Sequence, residues 1–265
     1  MNGWIYVHTL DPVLVQLGPV RIGWYGLMYA LSFLIGYWLL LRDARRSGGP
    51  IQEPDVPNFT TYLILGVVLG GRLGWVIFYG GSVYFEEPWR IFETWKGGMS
   101  FHGGLLGVTV AFFLFARSRK LSVLEVADMT VLYVPIGLFF GRIGNFINGE
   151  LWGKPTDGSW GVIFPADRQR VPRHPSQLYE ALLEGVVIFV ALWLLRRRGH
   201  PAGAQPALFL VLYGLARTAV EFVRLPDADI GYLWGPFTMG QLLSAPMWLF
   251  GVGWLVYLYA REARA

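Results

Sequence analysis

The chain contains no cysteine among its 265 residues. This absence excludes disulfides, thiolate metal sites and a cysteine nucleophile, so the substrate would have to supply the sulfur for any thiol chemistry. Histidine is also scarce, and no two histidines stand at metal-ligand spacing, so we expect no metal centre. The four histidines are spread along the chain, at His8, His102, His174 and His200.

Charged residues are scarce as well, at 15% of the chain against roughly 25% in a typical globular protein. Hydrophobic residues make up 54%, and the mean hydropathy is +0.43. This composition, rich in Trp, Tyr and Phe, predicts a polytopic membrane protein. In a membrane protein, the net charge of +4 indicates positive residues that set the orientation in the membrane and contact anionic lipids. No basic groove with interleaved aromatics appears, so no nucleic-acid partner is expected.

Seven apolar segments are long enough to be membrane helices, because every backbone polar group in lipid must be bonded within its own segment. We therefore predict an all-α fold with seven transmembrane helices in one integral membrane domain, residues 1–265. The predicted segments are residues 22–41, 60–79, 97–116, 129–147, 177–195, 207–223 and 237–260. Residues 148–176 are polar and contain four prolines, so they are predicted to be a loop.

The positions of the arginines predict the orientation of the chain. Clusters of positive residues follow the first, third, fifth and seventh segments, which places those ends in the cytoplasm. The N-terminus is then periplasmic, the C-terminus cytoplasmic and the 148–176 loop extracytoplasmic. Residues 1–20 show no cleavable signal peptide. The clusters are Arg42, Arg45 and Arg46; Arg117, Arg119 and Lys120; Arg196, Arg197 and Arg198; and Arg261 and Arg264.

Three arginines, Arg72, Arg142 and Arg217, interrupt or border apolar segments. A charge at mid-span costs at least about 2.5 kcal/mol, so each arginine should face the protein interior and have a partner. Glu221 lies four residues after Arg217, on the same helical face. Glu150 is a candidate partner for Arg142. For Arg72, a structural ion pair and a functional role both remain open.

The stretch GRIGNFINGE, residues 141–150, is the most specific signal in the chain. At helical spacing, Arg142 and Asn145 share a face, and the glycines leave room for a ligand to approach the backbone. Two arginine side chains near a membrane surface suit a phosphate, because guanidinium groups are permanently charged bidentate donors. The sequence therefore predicts a site for an anionic phospholipid headgroup.

His102 opens the third segment beside paired glycines. It suits either a structural role or a general base. No GxSxG stretch supports an acyl hydrolase. An anion transporter or channel with an arginine-lined path is the alternative function. Inverted repeats or an open aqueous route would favour that alternative, whereas a lipid-sized lateral opening would favour an enzyme. A retinal protein is excluded because the last segment has no lysine for a Schiff base.

Five sequence blocks together resemble the prolipoprotein diacylglyceryl transferase family. The first is similar to the family signature without departure, the others occur in the family's order, and the resemblance covers essentially the whole chain. The blocks are GRIGNFINGELWG (141–153), FHGGLLG (101–107), WYGLMY (24–29), RHPSQLYE (173–180) and RTAVEFVRLPD (217–227).

The resemblance implies a reaction and its partners. The diacylglyceryl group of phosphatidylglycerol would move to the lipobox cysteine of a preprolipoprotein, forming a thioether and releasing glycerol 1-phosphate. The chain would be a monomer without cofactors in the bacterial inner membrane, surrounded by membrane lipids, with its active site on the periplasmic side.

The resemblance also implies residue roles. Arg142 would bind the phosphatidylglycerol headgroup, Arg217 would stabilise the departing phosphate, and His102 would be the base for the thiol. The remaining residues would bind substrate or orient these three. They are Tyr25 at the cavity wall, Asn145, Asn148 and Glu150 at the glycerol or at Arg142, Gly153 at the end of the signature, and Glu221 beside Arg217.

Overall fold

The computed structural model describes residues 4–18, 20–46, 49–81, 83–94, 97–226 and 231–264. Helices form at all seven predicted apolar segments. In chain order, the α-helices are α1 Trp24–Arg46, α2 Val56–Tyr79, the short α3 Val83–Glu86, α4 Phe101–Ser118, α5 Val123–Thr130, α6 Val134–Asn148, α7 Ser176–Glu180, α8 Ile188–Arg198, α9 Ala204–Glu221 and α10 Met239–Glu262. A 3₁₀ turn, Val131–Tyr133, joins α5 to α6, and a π-helical segment, Ala181–Val187, joins α7 to α8.

Five helical stretches of the described chain are long and apolar enough to cross a membrane. They contain α1, α2, α5 with α6, α7 with α8, and α10, and a sixth apolar helix, His102–Ser118, is shorter. The ninth helix is not among the five; its 18 residues include Gln205, Arg217 and Glu221, which lower its hydropathy. The chain is thus an all-α polytopic membrane protein, and the number seven stays a prediction.

The chain packs as two compact units. Unit 1 comprises Met1–Leu39 and Thr130–Ala265, and unit 2 comprises Leu40–Met129. In unit 2, α2 and α4 pack closely through glycines: a methyl group added to Gly66 would lie 2.6 Å from the Gly107 carbonyl oxygen. Small residues at such an interface let two helix backbones touch.

In unit 1, α6 packs against α7 and the π segment, and α9 packs against α10. A methyl group on Gly185, in the π segment, would lie 2.6 Å from the Cβ of Phe139 in α6. Leu132, Ile188 and Leu192 form a buried apolar cluster in this unit. The helix α9 also packs against α7 and the π segment. Because α6, α7 and α9 meet, the charged side chains that they carry face one another.

The connections hold short strands, which the sequence reading did not predict. In chain order, the strands are β1 Trp4–Val7, β2 Val13–Leu17, β3 Val20–Gly23, β4 Trp160–Ile163, β5 Tyr232–Trp234 and β6 Phe237–Thr238. β4 lies in the loop 148–176 and pairs in parallel with β1, while β2 with β3 and β5 with β6 form antiparallel pairs. The loop is therefore tied to the N-terminal segment rather than irregular throughout.

Candidate functional site

Arg142 and Arg217 bind the same carboxylate. Arg142 Nε lies 2.8 Å from Glu180 Oε2, and Arg217 Nη1 donates to Glu180 Oε1 at 2.5 Å. Glu180 is the last residue of α7, just before the π segment. One glutamate therefore brings together two arginines that lie 75 positions apart in the sequence.

Three further residues complete the charged cluster. Arg217 also binds Glu221, as its spacing on the helix predicted, and Arg224 Nη1 lies 3.0 Å from Glu180 Oε1. Glu184, one helical turn after Glu180, lies 3.6 Å from Arg142 Nη2. The Thr238 hydroxyl donates to Glu221 Oε2 at 2.6 Å. The site thus contains three guanidinium groups and three carboxyl groups.

Burial separates the two kinds of charge. The side chains of Glu180 and Glu184 are 0% exposed, whereas those of Arg142 and Arg217 keep 19% and 15% exposure. An arginine cluster without counter-charges would be costly inside the protein, and the buried carboxylates compensate for that cost. The exposed part of the cluster consequently consists of guanidinium edges, which can donate to an anionic ligand.

The signature forms the C-terminal end of α6 and a tight turn. Gly149 has φ of +63°, a left-handed conformation that favours glycine at a helix end. The side-chain amides of Asn145 and Asn148 donate to Glu150 Oε1 at 2.9 and 3.2 Å. The Glu150 carbonyl accepts from Gln177 Nε2 at 2.6 Å. The turn therefore presents amide and carboxylate groups in one place.

One predicted pairing is wrong. Glu150 was the candidate partner of Arg142, but Arg142 forms its ion pairs with Glu180 and Glu184, and Glu150 binds the two asparagines. The physical reason is the left-handed turn at Gly149. It directs the chain away from the helix axis, so Glu150 lies beside the end of α6 and accepts from its last amides.

Tyr25 and Gly153 lie in the same unit as the cluster. Tyr25 packs on the signature helix, since a methyl group on Gly144 would lie 2.9 Å from Tyr25 Cδ2, and its hydroxyl lies 3.2 Å from that of Tyr29. Gly153 donates from its backbone to the His174 carbonyl at 2.9 Å and pairs with Arg224. Its missing side chain is required, because a methyl group would lie 2.6 Å from the Val223 oxygen.

His102 and Arg72 lie in unit 2. His102 stands in the first turn of α4, is exposed, and lines an open apolar groove of about 690 Å³ between α2 and α4. Arg72 is 5% exposed and donates to the carbonyl oxygens of residues 90, 91, 97 and 98. It fixes the connection between α2 and α4, so the structural reading of Arg72 is the one that its contacts support.

The sequence reading assigned no role to Glu180, Glu184 or Arg224. Their spacing in the sequence does carry one signal. Glu180 and Glu184 lie four residues apart within the predicted fifth segment, so both carboxylates share one helical face. The spacing alone does not identify the arginines on other helices that these carboxylates neutralise.

The loop 148–176 holds a second buried ion pair. Arg173 Nε lies 2.5 Å from Asp167 Oδ2, and both side chains are buried. The hydrogen bond from Arg173 lowers the pKa of Asp167 below its usual value. Burial lowers the pKa of His174, the next residue. These groups stabilise the loop rather than form part of the arginine cluster.

Comparisons with known proteins place this geometry in a family. A family model described as "Prolipoprotein diacylglyceryl transferase" matches residues 12–257. A relative in Nitratidesulfovibrio vulgaris strain Miyazaki F is 54% identical over 255 residues, covering 96% of this chain and 95% of the relative. One in Methylococcus capsulatus is 50% identical, covering 96% and 98%, and one in Geobacter sulfurreducens is 50% identical, covering 96% and 97%. All three are named phosphatidylglycerol–prolipoprotein diacylglyceryl transferase.

Proposed function

The chain belongs to the prolipoprotein diacylglyceryl transferase family, and we propose that it moves the diacylglyceryl group of phosphatidylglycerol to the lipobox cysteine of preprolipoproteins. This is the first step of lipoprotein maturation. The sulfur forms a bond with a glycerol carbon as the bond from that carbon to the phosphate oxygen breaks. The products are a thioether and glycerol 1-phosphate. The observation that carries the residue assignment is the binding of Arg142 and Arg217 to one buried carboxylate.

Arg142 binds the phosphatidylglycerol headgroup in this proposal, and Arg217 stabilises the departing phosphate. The phosphate gains negative charge as the carbon–oxygen bond breaks, and cations that are already in place stabilise that charge without reorganisation. Glu180 holds both guanidinium groups at a fixed distance from each other. Their residual exposure supports contact with a ligand, because a fully buried arginine pair could not meet one.

The signature turn holds the glycerol part of the substrate. Asn145, Asn148 and Glu150 supply amide and carboxylate groups suited to hydroxyl groups, and they lie at the same end of α6. Tyr25 packs on that helix and provides a hydroxyl at the wall of the site. Gly153 brings the backbone after the signature against Arg224, and Glu221 orients Arg217.

His102 is proposed as the base that accepts the thiol proton. A neutral imidazole can accept this proton near neutral pH. The need for such a base is modest, because a free thiol with a pKa near 8.5 is already partly ionised. The role of His102 is therefore separable from that of the two arginines, and separate variants test it.

The proposed orientation of the chain rests on its charges. We propose seven spans, a periplasmic N-terminus, a cytoplasmic C-terminus and an active site on the periplasmic side of the inner membrane. The arginine clusters at alternate helix ends support this orientation. A periplasmic site also suits a substrate that arrives by secretion. The chain acts as one integral membrane domain and a monomer in this proposal.

The anion-transporter alternative is not favoured by the family membership or by the charge distribution. A path for free anions would leave its cations unneutralised toward the pore, whereas each of the three clustered arginines binds a buried carboxylate. That arrangement suits fixed positioning of a ligand rather than passage of ions.

An in vitro transfer assay tests the function. The purified full chain is given labelled phosphatidylglycerol and a lipobox peptide, with a matched peptide in which serine replaces the lipobox cysteine. We expect label on the cysteine peptide only, with release of glycerol 1-phosphate. Transfer to the serine peptide at a similar rate would contradict the thiol chemistry, and release of glycerol 1-phosphate without peptide labelling would indicate a hydrolase.

A further inference from the structure

His8 is a buried histidine outside the charged cluster. It follows β1 directly, and only 4% of its surface is exposed. In the sequence it was one of three histidines, with His174 and His200, for which no catalytic role was predicted. In the structure, its imidazole packs against the end of α6 that carries the signature.

The imidazole hydrogen-bonds the backbone of the signature helix. His8 Nε2 lies 2.7 Å from the carbonyl oxygen of Phe146. Because a carbonyl only accepts, Nε2 carries the proton and donates it. The last carbonyls of a helix have no partner in the next turn, so this side chain satisfies one of them, together with the Gly149 amide at 2.9 Å.

The ring is also enclosed by packing. Its centroid lies 5.5 Å from the Phe146 ring and 5.4 Å from the Phe164 ring. On another side it touches the turn itself, since a methyl group added to Gly149 would lie 3.3 Å from His8 Cε1. The imidazole therefore has little freedom to move relative to the turn at Phe146–Gly149.

The backbone of His8 is fixed on the opposite side. Its amide donates to the Ile163 carbonyl at 2.9 Å, which continues the parallel pairing of β1 with β4. The N-terminal strand and the loop 148–176 thus hold the imidazole, and the imidazole holds the end of α6. Asn145, Asn148 and Glu150 lie on this same end.

We propose that His8 is a positioning residue for phosphatidylglycerol: its hydrogen bond fixes the signature turn so that Asn145, Asn148 and Glu150 meet the glycerol group. This inference rests on the proposed function of the turn. It concerns binding of one of the two substrates only, so loss of the hydrogen bond acts on the KM for phosphatidylglycerol and not on the KM for the lipobox peptide.

A matched pair of variants tests the proposal in the purified full chain. In His8→Gln, the amide nitrogen stands near the place of Nε2 and can still donate to Phe146. In His8→Asn, the same amide is one methylene too short. His200→Asn is the control, because His200 lies two residues after the end of α8 and hydrogen-bonds Pro201 and Gln205 rather than the signature turn.

We expect His8→Asn to raise the KM for phosphatidylglycerol by about 5- to 10-fold, the loss typical of one buried hydrogen bond, with the peptide KM unchanged. His8→Gln should stay within about twofold of the parent, because the donor is restored. A merely structural role would lower the amount of active protein, and hence the apparent kcat, without moving either KM. Equal KM values for phosphatidylglycerol in His8→Asn and His8→Gln would overturn the proposal.

Asn145→Ala separates this inference from the proposed function. If it raises the KM for phosphatidylglycerol while His8→Asn does not, the turn binds the lipid and His8 does not position it. If Asn145→Ala leaves that KM unchanged, the glycerol role of the turn fails, and the positioning role of His8 fails with it.

Discussion

Arg72 in unit 2 and the pair Arg142 and Arg217 in unit 1 all interrupt or border predicted apolar segments, but they have different partners. Arg72 donates to backbone carbonyls and fixes a connection between helices. Arg142 and Arg217 bind carboxylates that are fully buried, while their own side chains stay partly exposed. Burial of an arginine therefore does not by itself indicate a functional role. The group that the arginine binds and the exposed fraction of its side chain are better indicators.

Arg142→Ala should have the largest effect on transfer. We expect a loss of about 10³-fold or more in kcat/KM, because a charged donor to the headgroup is removed and Glu180 and Glu184 lose a counter-charge. The measurement is peptide labelling per molecule of inserted protein. Near-normal transfer would show that Arg142 does not bind the headgroup.

His102→Gln sharpens the comparison, because His102 lies in the same unit as Arg72. A general base typically raises the rate by about 10²-fold or more. Because the thiol is already partly ionised, we expect His102→Gln to lower the rate of transfer by only about 10²-fold. The loss should diminish as the pH rises, since the thiol then ionises without help. If the variant keeps most of its activity at neutral pH, the base assignment is wrong and the arginine assignments stand.

Arg217→Lys keeps the charge and removes the planar fork. We expect a loss of about 10- to 10²-fold in kcat, because an ammonium group cannot bind Glu180, Glu221 and a phosphate with the same geometry. Steady-state kinetics with labelled lipid provide the measurement. A wild-type kcat would mean that position 217 supplies only charge.

Arg72→Met should act on stability and not on chemistry. The variant leaves several carbonyls without their buried donor, so we expect the free energy of unfolding to fall by about 3 kcal/mol. The melting temperature should fall with it. Transfer per folded molecule should stay close to that of the parent. A loss as large as that of Arg142→Ala, at equal folded protein, would erase the distinction between the two regions.

The smallest expected effect concerns the loop pair Asp167 and Arg173. The pKa of Asp167 is lowered in the folded protein, so its carboxylate contributes stability above its unfolded pKa. This contribution is lost as the pH falls through the lowered, folded pKa. Asp167→Asn should therefore reduce the melting temperature near neutral pH and have less effect in acid. An equal reduction at both pH values would contradict the ion-pair explanation.

Much of the fold could be predicted from the sequence, because long apolar segments have few options in lipid: each of the seven predicted segments contains a helix. The pairing of Arg217 with Glu221 followed from a four-residue spacing. Glu180 could not be assigned in this way, since its partners Arg142 and Arg217 come from two other helices. The pairing of β1 with β4, which positions His8, joins segments more than 150 residues apart and leaves no local pattern.

The central claim is that Arg142 and Arg217 bind the phosphate of phosphatidylglycerol. Equilibrium binding of labelled phosphatidylglycerol to the full chain, in nanodiscs of zwitterionic lipid, tests it without any dependence on the thiol step. The account predicts at least about a tenfold weaker affinity for Arg142→Ala, equivalent to about 1.4 kcal/mol, and an unchanged affinity for Arg72→Met. Equal affinity of Arg142→Ala and the parent chain would contradict it.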